Sequence, residues 1–421
     1  MTTTTPETPE TAGTTRTPAT STTRRQYPIG WLRAVAALSV VTFHAYQHHR
    51  YGDTWLWPFD GLAHRLMLGT DLFVDMFFVL SGLVLWLPIA SAIGRGETSR
   101  PGRVLLYRRM ARLLPLYLVV VLLVWSLTNP TAPGHWVDLV SHLTFTHVYF
   151  DDYIFWTNGP AWSLAVEFHF YVLMALSVPV LNALARRTST RAGRMAVVWS
   201  LPVLCVVAGL TYLWWATQHS GAEETDWSVW FNPLAKATDF GLGMGLAILA
   251  TSGVALRAPA RALLAVGGVA ALVALVLTRP YDTTMTAWWH PMFSLAIVAA
   301  LSSVVLHDGA HPAWMSWRPL AWLGGLGYGI YLIHEPVMRF LGSLGLLGTP
   351  GPGLGFVGTA LVVAVPTVLL AWVSSRTVEA AGLRLLATMQ RDGTPRDYYD
   401  HLDADDPSRV APAPVSVGGP R

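Results

Sequence analysis

The sequence has a single cysteine, Cys205, which lies in the apolar run LPVLCVVAGL. No disulfide can form within the chain, and a position so poor in nearby charge does not favour a reactive thiolate. Charged residues are also scarce, because they make up 13% of the 421 residues, whereas 52% are hydrophobic. The mean hydropathy is +0.42. These proportions exclude an ordinary soluble globular protein and indicate a helical membrane protein.

The signatures of several enzyme classes are missing as well. The chain has no glycine-rich phosphate loop, no lipase-type serine elbow and no internal repeat. Three histidines, His135, His142 and His147, fall in a predicted outer loop without the short, fixed spacing of metal ligands. We therefore expect these histidines to be solvated, and we predict no metal site.

The two ends of the chain are polar. The first 25 residues contain 12 Thr and three Pro with almost no apolar residue, a composition that cannot bury enough surface to fold. We predict a disordered cytoplasmic tail over residues 1–27, a transmembrane domain over 28–373 and a polar cytoplasmic tail over 374–421. The first apolar segment lacks a cleavage site of small residues, so we expect it to be retained as a helix.

Long apolar runs fill the chain between these tails. Because about 20 apolar residues cross a bilayer as a helix, the runs predict an all-α, polytopic membrane protein with about ten transmembrane helices. Arginines collect in alternate connections, as the positive-inside rule requires of cytoplasmic loops. Both termini are therefore predicted to be cytoplasmic, in a multi-pass protein of the cell membrane. The helices are predicted near residues 29–49, 68–90, 113–128, 160–182, 195–217, 233–252, 259–278, 289–306, 319–341 and 354–373.

The first predicted helix carries two ionisable residues, Arg33 and His44, in the run GWLRAVAALSVVTFH. They are eleven positions apart, which is three turns plus roughly 20°, so both side chains lie on one helix face, roughly 16 Å apart along the axis. An ionisable residue inside a membrane favours a functional role. The alternative is that Arg33 reaches to the interface and His44 is a polar contact between helices.

Three other predicted helices carry ionisable residues at a depth similar to that of His44. Asp75 and Glu167 lie about two turns below the outer surface, and His334 lies in the outer half of the ninth helix. Each buried ionisable group is costly, so this convergence favours a functional site in which Asp75 orients the His44 imidazole. A structural hydrogen bond is the alternative for Asp75.

Two pairs of opposite charge lie within single predicted helices. Lys236 and Asp239 are three residues apart, and Glu335 and Arg339 are four residues apart. At these spacings the side chains are neighbours on a helix surface. We predict that each pair is a structural ion pair.

A basic stretch, RPGRVLLYRRMARLLPLY, connects the second and third predicted helices. Its arginines lie beside apolar residues, which predicts an interfacial segment. Anchoring to anionic lipid explains this pattern, and binding of a phosphorylated ligand is the alternative, because the planar guanidinium suits phosphate. The arginines concerned are Arg103, Arg108, Arg109 and Arg112.

Several motifs follow one another along residues 28–380. They are LRAVAALSVVTFH, LFVDMFFVLSG, YRRMARLLPLY, WSLAVEFHFY, FGLGMGLA and LGYGIYLIHEPV, followed by Glu379 after the last helix. In order and spacing they resemble acyltransferase family 3, the bacterial membrane-integral O-acyltransferases that modify sugars, cell-surface glycans and some macrolides. The sequence departs from the family pattern at Glu335, where an apolar residue is usual, and in WSLAVEFHFY, where Phe-His replaces Trp-Gln.

The resemblance implies an acyl-CoA donor from the cytoplasm, expected to carry acetyl, and an acceptor hydroxyl on a sugar-containing molecule presented from outside. It implies no tightly bound cofactor and no nucleic-acid partner; besides these substrates the expected partner is the lipid bilayer, and an oligomer is left open. The predicted catalytic residues are His44, Asp75 and Glu167, the predicted donor-binding residues are Arg33, Arg108, Arg109 and Arg112, and the predicted substrate-binding residues are Trp162, Ser163, Tyr331 and His334.

The function expected from these features is a membrane O-acyltransferase in which His44 acts as a general base or is transiently acylated. A proton-coupled transporter or glycan flippase is the alternative, since it would also place His and carboxylates at mid-depth. The absence of paired half-chain repeats and the six arginines in one loop disfavour transport. A catalytically silent scaffold is a third possibility.

Overall fold

The structure is a computed structural model that describes residues 27–281 and 283–389. Residues 1–26 of the predicted N-terminal tail and most of the predicted tail over 374–421 lie outside these residues. In the described part the chain is all-helical, and its only β pairing is an isolated bridge between Tyr51 and Leu56. The helices are α1 Gly30–His48, α2 Gly61–Leu68, α3 Phe73–Gly94, α4 Gly102–Thr128, α5 Trp136–Leu143, α6 Ala161–Arg186, α7 Arg191–Gln218, α8 Trp227–Trp230, α9 Ala237–Thr251, α10 Ala258–Thr278, α11 Trp289–Val305, α12 Arg318–Gly325, α13 Gly327–Ser343, α14 Gly355–Arg376 and α15 Val378–Met389.

Multiple long apolar helices confirm a multi-pass membrane protein, although the predicted count of ten is not confirmed. Within the described ranges, seven helical segments are long and apolar enough to cross a membrane. The predicted spans outside this set are α1, the 15-residue α9, and the predicted ninth helix, which is split into α12 and α13 at Leu326. These three predicted spans carry Arg33, His44, Asp239 and His334, which are discussed below.

The basic stretch is continuous with the third predicted span. It forms the first half of α4, a continuous helix of 27 residues that begins at Gly102 rather than near residue 113. Arg and Leu are strong helix formers, and Pro115 is accommodated inside this helix. The arginines are therefore held on a rigid element that enters the bundle.

Glycines bring α3 and α9 into close contact at the centre of the bundle. A Cβ atom on Gly82 of α3 would overlap the Phe240 carbonyl oxygen, and one on Gly243 of α9 would overlap the Val79 carbonyl oxygen. Small residues allow this approach of two backbones, as is common between membrane helices. The motif FGLGMGLA therefore serves packing, which places Asp75 of α3 next to α9.

Two side-by-side contacts show that α1 and α13 run in the same direction. Gly327 at the start of α13 lies against Arg33, and His334 further along lies against His44. The last described helix, α15, packs on α4, where a Cβ on Gly382 would lie against Ala111. The starts of α1 and α13, the first half of α4 and helix α15 therefore meet at one end of the bundle, which we call the arginine end.

Candidate functional site

Two histidines from different helices are in direct contact inside the bundle, and we call them the histidine pair. The Nδ1 atom of His44 lies 2.7 Å from the Nε2 atom of His334, and the two rings are stacked with their centroids 4.9 Å apart. The sequence placed these residues at similar depth, and the structure brings them together. Helix α1 supplies His44 on the same face as Arg33, and α13 supplies His334 after its break from α12.

Backbone contacts determine which nitrogen atoms of the pair carry hydrogens. The Nδ1 atom of His334 lies 2.7 Å from the Tyr331 carbonyl oxygen, which only accepts, so this nitrogen must be the N–H donor. In a neutral His334 ring the Nε2 atom is then an acceptor, and His44 must donate to it from Nδ1. The Nε2 atom of His44 is left with its lone pair available as a base.

The two histidines differ in their access to solvent. His334 is fully buried, at 0% exposure, whereas His44 keeps part of its surface accessible. His44 has no other hydrogen-bonding partner among the described residues, so its Nε2 atom is free to meet a ligand. His334 was predicted to bind substrate, but its burial against His44 fits a positioning partner better.

A second contact joins α6 to α13 one turn from the histidine pair. The hydroxyl groups of Ser163 and Tyr331 lie 2.8 Å apart, and both side chains are buried. Tyr331 is three residues before His334, so the motifs WSLAVEFHFY and LGYGIYLIHEPV meet here. Trp162 points elsewhere, because its ring stacks on Phe231 with centroids 4.0 Å apart.

Glu167 lies further along α6, on the side of the arginines. It accepts a hydrogen bond from the Ser81 hydroxyl, and Tyr171 has Glu167 and Arg109 as charged neighbours. The guanidinium of Arg109 lies 5.9 Å from the Tyr171 ring centroid. Glu167 and Ser81 are only partly buried. This group therefore lies between the histidine pair and the arginine end.

The predicted donor-binding arginines gather around the first turn of α13. A Cβ atom on Gly327 would lie 3.3 Å from the Arg33 carbonyl oxygen. The Tyr328 hydroxyl donates to the Leu113 carbonyl oxygen at 2.6 Å, which brings the residue after Arg112 to the same turn. Arg108 and Arg109 lie one turn closer to the start of α4. The backbone positions of these arginines, which are far apart in sequence, thus lie at one end of the bundle.

Asp75 does not lie beside His44, and this prediction was wrong. One carboxylate oxygen of Asp75 contacts the Nδ1 atom of His290 at 2.7 Å, and the other lies 3.6 Å from the Nζ atom of Lys236. Asp75 is 1% exposed, and helix α3 turns it toward α9 and α11. These contacts fit the alternative that Asp75 forms structural hydrogen bonds and charge pairs within the bundle.

The predicted ion pair between Lys236 and Asp239 does not form either, because Lys236 pairs with Asp75 instead. Asp239 is 0% exposed, and neither of its carboxylate oxygens has a hydrogen-bonding partner in the described part of the chain. Its charged neighbours are Asp75 and Lys236. We call Asp75, Lys236, Asp239 and His290 the charged cluster. His290 was not predicted, although an ionisable residue inside an apolar helix is the signal that identified His44.

The predicted ion pair of Glu335 with Arg339 is present, with an Nη2 to Oε1 distance of 2.5 Å. Arg339 also donates to the carbonyl oxygens of Trp156 and Thr157, at 3.2 and 3.3 Å. The pair thus fastens α13 to the loop that leads into α6. This loop carries Asn158, whose side chain donates to the Leu332 carbonyl oxygen at 3.1 Å.

His142 and His147 are not solvated loop residues, contrary to expectation. Both are 0% exposed, and their rings stack with centroids 4.0 Å apart. His142 contacts the Asp138 carboxylate at 3.1 Å, and burial together with the neighbouring His142 holds the pKa of His147 well below its ordinary value. His135 is exposed, as expected.

Across residues 27–281 and 283–389, no group of three or more His, Cys, Asp or Glu side chains has the geometry of a metal site.

Comparison with known proteins gives the following similarities. The profile of the family described as Acyltransferase domain, acyltransferase family 3, matches residues 27–376. The chain is 28% identical over 345 residues to YrhL, a putative peptidoglycan O-acetyltransferase of Bacillus subtilis, which covers 76% of this chain and 49% of the relative. It is 24% identical over 379 residues to the peptidoglycan O-acetyltransferase OatA of Listeria monocytogenes, which covers 83% of this chain and 54% of the relative. The chain therefore spans about half the length of these curated relatives. No solved structure matches.

Proposed function

Because the chain belongs to acyltransferase family 3, we propose that it is a membrane O-acyltransferase that transfers an acetyl group from acetyl-CoA to a hydroxyl group of a glycan. Both relatives carry names that describe acetyl transfer to peptidoglycan, which supports a cell-wall glycan as the acceptor. The family alone does not assign roles to residues in this chain. The geometry of the histidine pair supports the roles that follow.

The observation that carries the proposal is the hydrogen-bonding order of the histidine pair. The Tyr331 carbonyl oxygen holds His334 with its hydrogen on Nδ1, and the Nε2 atom of His334 holds His44 with its hydrogen on Nδ1. The Nε2 lone pair of His44 is thereby oriented as a general base. An orienting partner of this kind performs the task that a carboxylate performs for a catalytic histidine in other enzymes.

The proposed reaction starts when the Nε2 atom of His44 removes the proton from the acceptor hydroxyl. The oxygen attacks the thioester carbonyl carbon, a C–O bond forms, and the C–S bond breaks with release of the CoA thiolate. The proton on His44 then passes to the thiolate sulfur or to water, so that His44 returns to its neutral form. His334 accepts the hydrogen bond of the imidazolium throughout and stabilises that charge.

The arginine end supports a site for the donor phosphates. Arg33, Arg109 and Arg112 lie near the first turn of α13, where the backbone N–H groups of a helix start also favour negative charge. Along α1 the distance from Arg33 to His44 is roughly 16 Å, which an extended pantetheine arm would cross. Glu167, Ser81 and Tyr171 line this interval. We propose that the acyl group reaches His44 from the arginine end.

The test uses the full chain purified into liposomes, with labelled acetyl-CoA and soluble peptidoglycan fragments as the acceptor. We expect ester-linked acetyl groups on the saccharide, detected by mass spectrometry and removed by mild base. The matched variant His44→Gln, which keeps a polar side chain of similar size, should bind acetyl-CoA without forming product. Equal product formation by the wild type and His44→Gln would contradict the proposed role of His44.

A further inference from the structure

A cleft of about 690 Å³ opens at the end of the bundle opposite the arginine end. The last turns of α1 and α13 and the loop over residues 344–353 surround it, and His48, Met338, Arg339, Leu347 and Thr349 are among the side chains that line it. This volume lies in the range of sites that enclose most of a small-molecule ligand, about 300–1,000 Å³. The cleft is not used by the roles assigned so far.

The cleft lies directly beyond the histidine pair. His48 is four residues after His44 on α1, and Met338 is four residues after His334 on α13. Four residues are about one helical turn, or roughly 6 Å along each axis. His44 is partly accessible, and Arg339 is close enough to act electrostatically on it. The inner side of the cleft therefore lies about one helical turn from His44 and His334.

Arg339 is held rigidly at the edge of the cleft. Its Nη1 atom donates to two carbonyl oxygens, and its Nη2 atom donates to the Phe155 carbonyl oxygen at 3.3 Å and to Glu335 at 2.5 Å. The Nε–H group makes no hydrogen bond within the described residues, and the side chain is 40% exposed. Arg339 therefore keeps one donor and one guanidinium face for a ligand.

The remainder of the lining suits a ligand rich in hydroxyl groups. Gly342, Gly345 and Gly348 line the cleft without side chains and so leave room for a ligand, and Thr349 adds a hydroxyl. No Asp or Glu is among the lining residues of the described chain, which disfavours a cationic ligand. A small-molecule binding site is typically lined by apolar side chains and by a few polar groups that orient the ligand.

We propose that this cleft binds the acceptor, as a neutral or acidic saccharide segment of one or two sugar units whose reactive hydroxyl points toward His44. The identity of the reaction rests on the proposed function, whereas the position of the binding site follows from the cleft. Arg339 donates to oxygen atoms of the sugar, and the glycine-containing loop over residues 344–353 covers it. The donor and the acceptor thus occupy opposite sides of the histidine pair.

The first test fills the cleft without altering the histidine pair. Thr349→Trp places a large ring in the cleft, and Leu346→Trp, at a 57% exposed position of the same loop outside the lining, is the matched control. We expect Thr349→Trp to raise the KM for a soluble peptidoglycan disaccharide by at least about tenfold, with an unchanged KM for acetyl-CoA. Leu346→Trp should resemble the wild type. Equal acceptor KM values in the two variants would overturn the proposal.

The second test measures binding without activity. Cys205 is 3% exposed, so a cysteine introduced at Thr349 or Leu346 would be the accessible thiol for a membrane-impermeant maleimide. We expect the peptidoglycan disaccharide to slow labelling of Thr349→Cys by at least about fivefold, with no effect on Leu346→Cys. Acetyl-CoA alone should protect neither thiol. Labelling of Thr349→Cys that the disaccharide leaves unchanged would overturn the acceptor site.

Together the two tests separate the inference from the proposed function. Protection of Thr349→Cys by the disaccharide in a protein that forms no acetylated product would support the cleft and contradict the transferase assignment. Product formation without protection, and without a change in acceptor KM for Thr349→Trp, would support the transferase and contradict the cleft.

Discussion

The histidine pair and the charged cluster are two buried polar groups of the same bundle that balance their polarity in different ways. In the histidine pair, each hydrogen bond orients the next ring, and the series ends at an accessible nitrogen of His44. In the charged cluster, Asp75 lies between His290 and Lys236, so opposite charges meet in a closed environment. The contrast between His44 and Asp75 shows that a buried ionisable residue favours function when its partners leave one accessible atom available, and favours structure when opposite charges neutralise it.

The largest effect is expected for His44→Ala. Because the variant removes the proposed base and leaves the charged cluster intact, acyl transfer should fall by about 10²- to 10⁴-fold, without a change in membrane insertion. Thr42→Ala is the control on the same helix, since the Thr42 hydroxyl only bonds to the Leu38 carbonyl oxygen, and it should retain activity. Turnover rates of the purified variants test this. A folded His44→Ala variant with normal turnover would remove the distinction between the two groups.

The charged cluster should respond in stability rather than in turnover. Asp75→Asn leaves Lys236 buried without its carboxylate partner, which typically costs about 3–5 kcal/mol. The double variant Asp75→Asn with Lys236→Met, which removes both charges, should recover much of this loss. Thermal unfolding in detergent measures the effect. If Asp75→Asn instead lost turnover at unchanged stability, the cluster would have a functional role such as the proton coupling of a transporter.

His334 should have a smaller effect than His44, because it positions the base and does not touch the substrate. We expect His334→Ala to lower kcat by about 10- to 100-fold with little change in either KM. His334→Gln should restore part of the rate, since its amide oxygen can accept the hydrogen bond from the Nδ1 atom of His44. A merely structural role for His334 would give no rescue by Gln, and both variants would lose stability together.

The smallest effect is expected at the arginine end. Arg112→Ala should raise the KM for acetyl-CoA by about tenfold and leave kcat nearly unchanged, because one charge-assisted contact to a phosphate is lost among several. Arg187→Ala, at an exposed position after α6, is the control for a general loss of positive charge. Isothermal titration with acetyl-CoA provides an independent measurement. Indistinguishable affinities of Arg112→Ala and the wild type would reduce the arginines to a lipid anchor.

The parts of the fold that follow from helix periodicity were predicted well. The common face of Arg33 and His44 and the meeting of His44 with His334 depend on spacing within helices and on similar depth. Depth is only one coordinate, however. Asp75 has a suitable depth, but the glycine contacts between α3 and α9 rotate α3 so that Asp75 contacts Lys236.

Predictions from hydropathy also differ from the structure where polar residues pack against other helices. The arginines before residue 113 were expected in a connection between two spans, yet they belong to the helix that continues into the third predicted span. His142 and His147 suggested a solvated loop, yet they stack in a buried position next to Asp138. In both cases tertiary packing supplies the partners, and no pattern of single-chain hydropathy contains that information.

The central claim is that the donor and the acceptor approach the histidine pair from opposite ends of the bundle. Closed vesicles in which the protein has one known orientation test it directly, with acetyl-CoA supplied on one side and an impermeant peptidoglycan disaccharide on the other. The account predicts that acetylated disaccharide forms only when acetyl-CoA is at the arginine end and the disaccharide is at the end with the cleft. Acetylation only when both substrates share one compartment would contradict it.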